Sequence, residues 1–432
     1  MNRNLVMSIC SVVTALGFEG VAADDVATAA ERLLATQAAA LTESAELNSR
    51  LEDLRVEEAL ARASGAPGTP YLELQTEGLS SSFYRRPNAQ DTVRVGAPFN
   101  MPGQTSSVRR YTDATTGRVS ARRWAEELTT VAEASRRWLE LASVTERGVV
   151  LRERVARLEE ALALQEAKFQ LGEVAGTEVR QVELEHVRES SRLASLDAEV
   201  QARTQHLWEL CRDGCEGSAA GDLAALIPLT RTPGAERIAN ASVESGPIFV
   251  SALLDAEAIR ARSDLETSTA WGRPVFMAEW EHFPSFGELP GYNAWGLSLA
   301  VPLPLGREGR QRKVAAGAEA AAAVARTEAT RVQLKSRMRA AHAAAVEAKS
   351  RLRMLEPVIG ELPETEHSLK EQFRLGSISY LVYIDGLSRL DDVRTECVGA
   401  RAALLMARLE LAVLLGDTRF FPLTVLSVEE DS

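Results

Sequence analysis

The sequence is poor in aromatic residues, and this shortage narrows the classes of protein it can belong to. Aromatic residues make up 5% of the 432 residues, although 45% are hydrophobic and 25% are charged. A chain of this length and composition folds, and it is not a small disulfide-stapled module. Because Ala, Leu, Glu and Arg dominate, we predict long helices rather than an aromatic-rich core.

Positive charge is also in short supply. Lys and Arg total 49 against 61 Asp and Glu, which gives a formal net charge of −12, and no basic block is present. A partner with a phosphate backbone would require basic side chains, so the composition argues against nucleic acid.

Long apolar runs are missing after the first residues. Arg3 precedes an apolar stretch at 5–18, and small residues at 21–23 suit cleavage, so residues 1–23 are predicted to be a secretory signal. Further on, no run approaches the ~18 to 20 apolar residues of a membrane helix; the nearest, 404–415, contains two charged residues. If the protein spans a bilayer, it must do so with strands.

Sequence signatures of catalysis and metal binding are lacking too. The five histidines are scattered without metal-ligand spacing, and no phosphate loop, nucleophile elbow or metalloprotease motif occurs. We therefore predict no enzyme, no metal site and no cofactor. Cys211 and Cys215 lie four residues apart, which leaves open a local disulfide in an oxidising compartment or two free thiols at a helix end.

What the sequence does contain is an internal repeat. A shift of 204 residues places Pro98 on Pro302 and the segment Phe169-Gln-Leu-Gly172 on Phe373-Arg-Leu-Gly376. The matches fall on residues that set turns and packing. The predicted organisation is a signal at 1–23, a first repeat at 24–213, a connector at 214–246, a second repeat at 247–422 and a tail at 423–432.

Each repeat contains two predicted strands. In Tyr71 to Glu77, apolar Leu72 and Leu74 alternate with polar residues, and the same alternation recurs one shift later. Each strand should therefore have one apolar and one polar face. The strands are predicted at about 70–78, 92–101, 274–282 and 294–303.

The remainder of each repeat has helical periodicity. Residues that are apolar at all but one position in each repeat step by four and three from Leu151 to Phe169 and again from Leu355 to Phe373, which predicts coiled-coil helices of roughly 40 to 55 residues. Leu-Gly pairs at 171–172 and 375–376 interrupt the pattern, so each repeat is predicted to fold back there as an antiparallel hairpin, far from the strands.

Four strands are too few to close a membrane barrel, because the smallest use about eight. Three chains would supply about twelve, and their long helices would continue the barrel as a tube. The fold class is therefore mainly α with a small β part: a duplicated unit of helix, two strands and a long helical hairpin in a homotrimer. A soluble four-stranded domain beside a coiled coil is the alternative reading of the strands.

The chain resembles the family of TolC-like outer-membrane efflux factors over essentially the whole mature sequence. The segment 373–390, beginning Phe-Arg-Leu-Gly-Ser, is similar to that family's second hairpin tip, and 298–307 is similar to the strand exit of its CzcC-like heavy-metal branch. The resemblance implies a trimer with a twelve-stranded barrel in the outer membrane and an α-helical coiled-coil barrel in the periplasm. It further implies a periplasmic adaptor, an inner-membrane pump, RND type being expected, and passive export of metal ions or drugs.

Two departures from the family pattern concern the first helix and the second tip. The usual Asn-Pro of the early helix is replaced by a segment at 43–47 without proline, and only Asp385 remains of the acidic positions near the second tip. Asp385, repeated by threefold symmetry, could form an acidic ring at the tunnel mouth, or it could simply pair with Arg389.

The hairpin ends expose small and apolar groups to which another helical hairpin could bind end to end. The predicted docking residues for an adaptor are Phe169, Leu171, Gly172, Phe373, Leu375 and Gly376. Glycine at a helix end also occurs without any partner. A periplasmic coiled-coil adaptor or scaffold without a barrel is the alternative function, but two hairpins, each with its own strand pair, favour the duct.

Overall fold

The computed structural model describes residues 23–64, 68–77, 90–211, 215, 221–234, 236, 238, 243–269, 272–283, 285, 290–302, 307–417 and 420–423. These form two compact units. The hairpin unit comprises the described residues of Met1–Arg50, Trp124–Ile248 and Arg331–Ser432, and the sheet unit those of Leu51–Arg123 and Phe249–Thr330. The predicted signal at 1–23, apart from Ala23, and most of the tail lie outside the described residues.

Long helices dominate both units, as the composition predicts. The helices are α1 (Ala23–Glu43), α2 (Ala45–Ser64), α3 (Pro102–Gln170), α4 (Gly176–Cys211), α5 (Asp222–Leu226), α6 (Pro247–Thr269), α7 (Arg307–Arg374) and α8 (Tyr380–Leu415). The strands are β1 (Tyr71–Glu77), β2 (Gln90–Pro98), β3 (Val275–Phe283) and β4 (Tyr292–Ala300). None of the described helices combines the length and the apolar character required to cross a membrane.

The internal repeat is visible in the element boundaries. Helices α4 and α8 begin 204 residues apart and also end 204 residues apart. The two strand pairs keep one register under the same shift: Tyr71 faces Gly96 in the first pair, and Val275 faces Ala300 in the second. The shift found in the sequence is therefore a structural repeat.

The four strands form one antiparallel sheet in the order β1-β2-β3-β4. The first repeat contributes β1 and β2, the second contributes β3 and β4, and the two repeats join through the β2–β3 pair. Within the described part of the chain, β1 and β4 are the edges of this sheet, so it is open rather than closed.

The two faces of the sheet differ in chemistry, as the alternation predicts. On one face, apolar side chains follow each other across the strands in the rows Leu72, Val95, Ala278, Leu297 and Leu74, Val93, Trp280, Trp295. On the other face the corresponding rows are Glu73, Arg94, Glu279, Gly296 and Gln75, Thr92, Glu281, Ala294. Arg94 lies between carboxylates there, and its Nε donates to Glu279 at 3.0 Å.

The hairpin unit has a conventional buried core. Its largest fully buried side chains come from several helices and the C-terminal segment, among them Leu33, Leu47, Trp138, Leu139, Leu207, Leu404, Leu405, Leu411, Leu414 and Phe421. The heptad positions of α8 from Cys397 to Leu414 are buried, as the coiled-coil periodicity predicts. Packing against neighbouring helices, rather than helix propensity, is what stabilises rods of this length.

Ser44 separates α1 from α2 in the region where the resembled family usually has an Asn-Pro pair. The break between α1 and α2 falls at Ser44, which is buried, and its Oγ accepts a hydrogen bond from the Leu47 backbone N–H at 3.3 Å. This is N-capping, which satisfies a donor that the first turn of α2 would otherwise leave unpaired. The chain can therefore restart its helix here without proline.

Arg408 of α8 is buried and binds three residues of the connector at 214–246. Arg408 donates to the Thr232 hydroxyl at 2.9 Å, to the Ile227 carbonyl at 3.2 Å and to the Thr230 hydroxyl at 2.5 Å. Burial lowers the pKa of Arg408 to about 10. The Cα atoms of Cys211 and Cys215 lie 5.6 Å apart at the end of α4, and a disulfide between them stays a prediction.

The predicted helix lengths were wrong. Helices α3 and α7 contain 69 and 68 residues, and α4 and α8 contain 36 each, instead of about 40 to 55. The apolar seam used for the prediction marks only the coiled-coil part of α3 and α7. Helix α3 starts four residues after β2 ends, and α7 starts seven residues after β4 ends. Pro357 and Pro363 lie inside α7 without ending it.

Candidate functional site

The two hairpin tips share one turn geometry. In the first, the Glu173 N–H donates to the Lys168 carbonyl at 2.9 Å and Gly172 has φ of 75°. In the second, the Ser377 N–H donates to the Gln372 carbonyl at 3.0 Å and Gly376 has φ of 71°. This is the Schellman arrangement, in which glycine adopts the left-handed conformation at little cost.

The leucine before each glycine is the most prominent apolar group at each tip. Leu171 is 75% exposed and Leu375 is 74% exposed. A Cβ built on Gly172 or Gly376 would meet no atom within 4 Å, so both glycines also face open space. The tips therefore present small and apolar surface, as docking on another hairpin requires.

The two phenylalanines of the tips differ in their surroundings. Phe169 is half exposed, whereas Phe373 stacks on Tyr383 with ring centroids 4.9 Å apart and meets Tyr380 edge-on at 5.7 Å. Lys168 lies over the Phe373 ring at 5.5 Å from its centroid. Phe373 thus packs beneath the second tip, together with Tyr380, whose phenol pKa is raised by burial.

Asp385 lies on α8 beyond this cluster and is paired. Its carboxylate accepts from Arg389 at 2.8 Å, and both side chains are mostly exposed. The acidic ring at the tunnel mouth stays a prediction, but an adjacent guanidinium one turn away offsets the charge on which the ring would depend.

A buried ion-pair network, which the sequence did not reveal, lies between α3, α7 and α8. Asp391 of α8 is only 2% exposed and accepts from Arg157 of α3 and, at 3.1 Å, from Arg394. Arg394 in turn donates to Glu366 of α7 at 2.8 Å. Two cations and two carboxylates from both repeats are therefore joined in one network.

A second group of charges continues this network on α3. Glu189 of α4 is 1% exposed and lies within 3.5 Å of Arg154 and 2.6 Å of Arg192. Arg154 also lies 3.5 Å from Asp392 of α8. Position 189 interrupts the apolar heptad positions of α4, and Arg154 of the neighbouring helix α3 covers its carboxylate.

Breaking this network should destabilise the hairpin unit. Arg157→Met leaves Asp391 buried with one cation fewer, so we expect a loss of about 1 to 3 kcal/mol in the free energy of unfolding. The matched control is Arg389→Met, which removes an exposed i,i+4 partner and should cost no more than about 0.5 kcal/mol. Thermal unfolding of the purified variants, followed by the circular dichroism of their helices, measures both; equal shifts would contradict the buried network.

The apolar face of the sheet is a second candidate functional surface. Trp295 is 80% exposed and Leu297 74%, and Leu72, Leu74 and Leu299 are also exposed. Contiguous exposed apolar surface of this kind marks a contact with protein, membrane or ligand. In the described ranges, by contrast, no group of three His, Cys, Asp or Glu side chains is placed to hold a metal ion.

Sequence comparison finds no relative: no family model matches the chain, and no curated protein does. Comparison with solved structures, in contrast, finds similar proteins. The CmeC outer-membrane channel of Campylobacter jejuni is 12% identical, with a TM-score of 0.69 over 90% of this chain and 86% of that one. VceC, an outer-membrane protein of Vibrio cholerae, is 15% identical, with a TM-score of 0.67 over 89% and 96% of the two chains.

A third structure, the open state of the MtrE outer-membrane channel of Neisseria gonorrhoeae, is 14% identical, with a TM-score of 0.64 over 89% of each chain. The chain has the TolC-like fold. The TolC-like fold accounts for the duplicated strand pairs, the long hairpins and the open sheet together. At identities this low the likeness establishes the fold alone, and the function has to be argued from the surfaces described above.

Proposed function

We propose that the chain is the outer-membrane exit duct of a tripartite efflux system. The observation that carries the proposal is the open sheet, which has one exposed apolar face and one charged face. Lipid would cover the apolar rows that contain Leu74 and Trp295, and water in a pore would solvate the rows that contain Glu73 and Glu281. A sheet of a soluble protein would instead bury its apolar face.

Three copies would complete the duct. In lipid, the unpaired edges β1 and β4 would leave backbone groups without hydrogen bonds, and pairing between copies removes both edges. A homotrimer would supply a barrel of about twelve strands, with the helices in the periplasm.

Substrate would pass through this duct without chemistry. An inner-membrane pump, RND type being the expectation, would supply the energy, and a periplasmic adaptor would bind the hairpin tips at Leu171, Gly172, Leu375 and Gly376. Metal ions and drugs are the substrate classes we propose. No residue of the duct need react with them.

The oligomeric state in detergent tests the proposal against an adaptor or scaffold. We expect the purified protein to be a trimer that migrates as one species on a gel without heating and as a monomer after boiling, because a closed barrel resists detergent. Membranes washed with high salt should retain it. A water-soluble monomer that leaves the membrane in the wash would contradict the duct.

A further inference from the structure

We propose that β4 of one copy pairs with β1 of the next in the register that β2 and β3 already have within one chain. In this register Leu299 faces Leu74 of the next copy, and Ser298 faces its Gln75. The inference rests on the proposed trimer and adds to it the alignment of the strands at each junction, which decides which side chains meet.

The internal repeat preserves the register of the strands. Leu74 faces Val93 in the first strand pair, and the residues 204 positions later, Ala278 and Leu297, face each other in the second. All seven residue pairs of the first strand pair have counterparts of this kind in the second. For register, β4 is therefore equivalent to β2, and β1 is equivalent to β3.

The junction between the two repeats of one chain has an equivalent between neighbouring copies. Within one chain the repeats join by β2 facing β3, with Val95 opposite Ala278. Their equivalents are Leu299 on β4 and Leu74 on β1. If consecutive repeats are joined in the same manner all around the ring, these two residues meet where one chain ends and the next begins.

The side chains that would meet are compatible on both faces. Leu299 against Leu74 extends the exposed apolar face, since both side chains already belong to it. Ser298 against Gln75 takes the place that Arg94 and Glu279 occupy within the chain, so the polar face also continues across the junction. A shift by one residue would set leucine on the polar face and is excluded by this alternation.

Barrel geometry is compatible with this register and argues against a shorter one. Leu74, Val93, Trp280 and Trp295 lie opposite one another across the four strands. In the proposed register, Trp295 would lie opposite the sequence position four residues after Leu74 in the next copy. Each copy therefore adds a stagger of four residues. Over three copies the stagger is about twelve residues in twelve strands, which gives a strand tilt of roughly 35°, within the usual range of about 35–45°. A register two residues shorter gives only about 19°, far outside that range, whereas one two residues longer gives about 46°, at its upper limit. The tilt therefore excludes the shorter register, and cross-linking has to separate the other two.

Disulfide cross-linking between copies tests the register. The double variant Leu74→Cys with Leu299→Cys is made in a chain whose four native cysteines are replaced by serine, and membranes are oxidised with copper phenanthroline. Facing Cβ atoms lie about 4.5 to 5.5 Å apart and diagonal ones about 7 to 8 Å. We therefore expect linked dimers and trimers to form roughly tenfold faster than in the two displaced pairs, Leu74→Cys with Leu297→Cys and Leu74→Cys with Val301→Cys.

A pair within one chain controls for folding and reactivity. Val95→Cys with Ala278→Cys occupies the junction that the structure already shows, so it should lose its free thiols without linking copies. If a displaced pair links copies fastest, the register is wrong and the trimer stands. If no pair links copies while the control pair oxidises, both the register and the proposed trimeric duct fail.

Discussion

Replacing Leu375 by aspartate is expected to abolish export by host cells while the amount of trimer in the outer membrane stays unchanged. The leucine side chain is three-quarters exposed at the end of the second hairpin, so its loss removes no packing within the chain. A carboxylate at that place would have to be desolvated when an adaptor hairpin binds. Loss of a central apolar contact at an interface commonly costs about 2 kcal/mol or more, which is roughly 30-fold in affinity.

Leu375 is a sharper target than the neighbouring glycine. A bulky side chain at Gly376 would also be forced into the left-handed region at φ of 71°, so a loss of export could come from a changed turn rather than from lost docking. Leu375→Asp leaves the backbone as it is. The equivalent change at Leu171 should have a similar effect if both tips bind the adaptor.

The control for this variant is Leu60→Asp, a change of the same type at a leucine of α2 that is also mostly exposed. Accumulation of a fluorescent dye and of divalent metal ions in the host measures export, and immunoblotting of outer membranes measures trimer. Full export in Leu375→Asp and in the double variant with Leu171→Asp would show that the tips are ordinary turns.

Replacing Leu297 by arginine is expected to remove most of the trimer from the outer membrane. Leu297 belongs to the exposed apolar rows of the sheet, and an arginine facing lipid near the middle of a bilayer costs about 2 to 4 kcal/mol in each copy. In a water-exposed sheet the same change would have almost no effect, because exposed substitutions usually stay within about 0.5 kcal/mol. The result therefore distinguishes lipid from water at this face.

The adjacent residue provides the matched control. Ser298 lies on the opposite face of the same strand, so Ser298→Arg introduces the same charge toward the proposed pore. Trimer recovered from outer membranes, measured on unheated gels, should fall at least tenfold for Leu297→Arg and little for Ser298→Arg. Equal recovery of the two variants would contradict a lipid-facing apolar surface.

Local patterns determined much of this fold. Alternation with period two identified all four strands and their faces, and a glycine after Phe-x-Leu identified both hairpin turns, whose φ values are positive. Such signals depend on residues a few positions apart, so a sequence contains them in full. The exposed tip residues Leu171 and Leu375 were likewise predictable from the turns alone.

Packing decided what the local patterns left open. Helices α3 and α7 are longer than their apolar seams, because packing on neighbouring elements can stabilise a helix that has no heptad seam of its own. The break at Ser44 and the half-buried position of Phe373 likewise depend on what surrounds them.

The sequence by itself determined the repeat, the two-faced strands and the hairpin ends, since each follows from the spacing of residues along the chain. Only the tertiary structure brought Arg157 to Asp391, 234 residues apart, and set β2 beside β3. The physical reason is that these contacts depend on how far one rod or strand is displaced along another. That displacement is fixed by the packing of many side chains at once, and no short segment of the sequence encodes it.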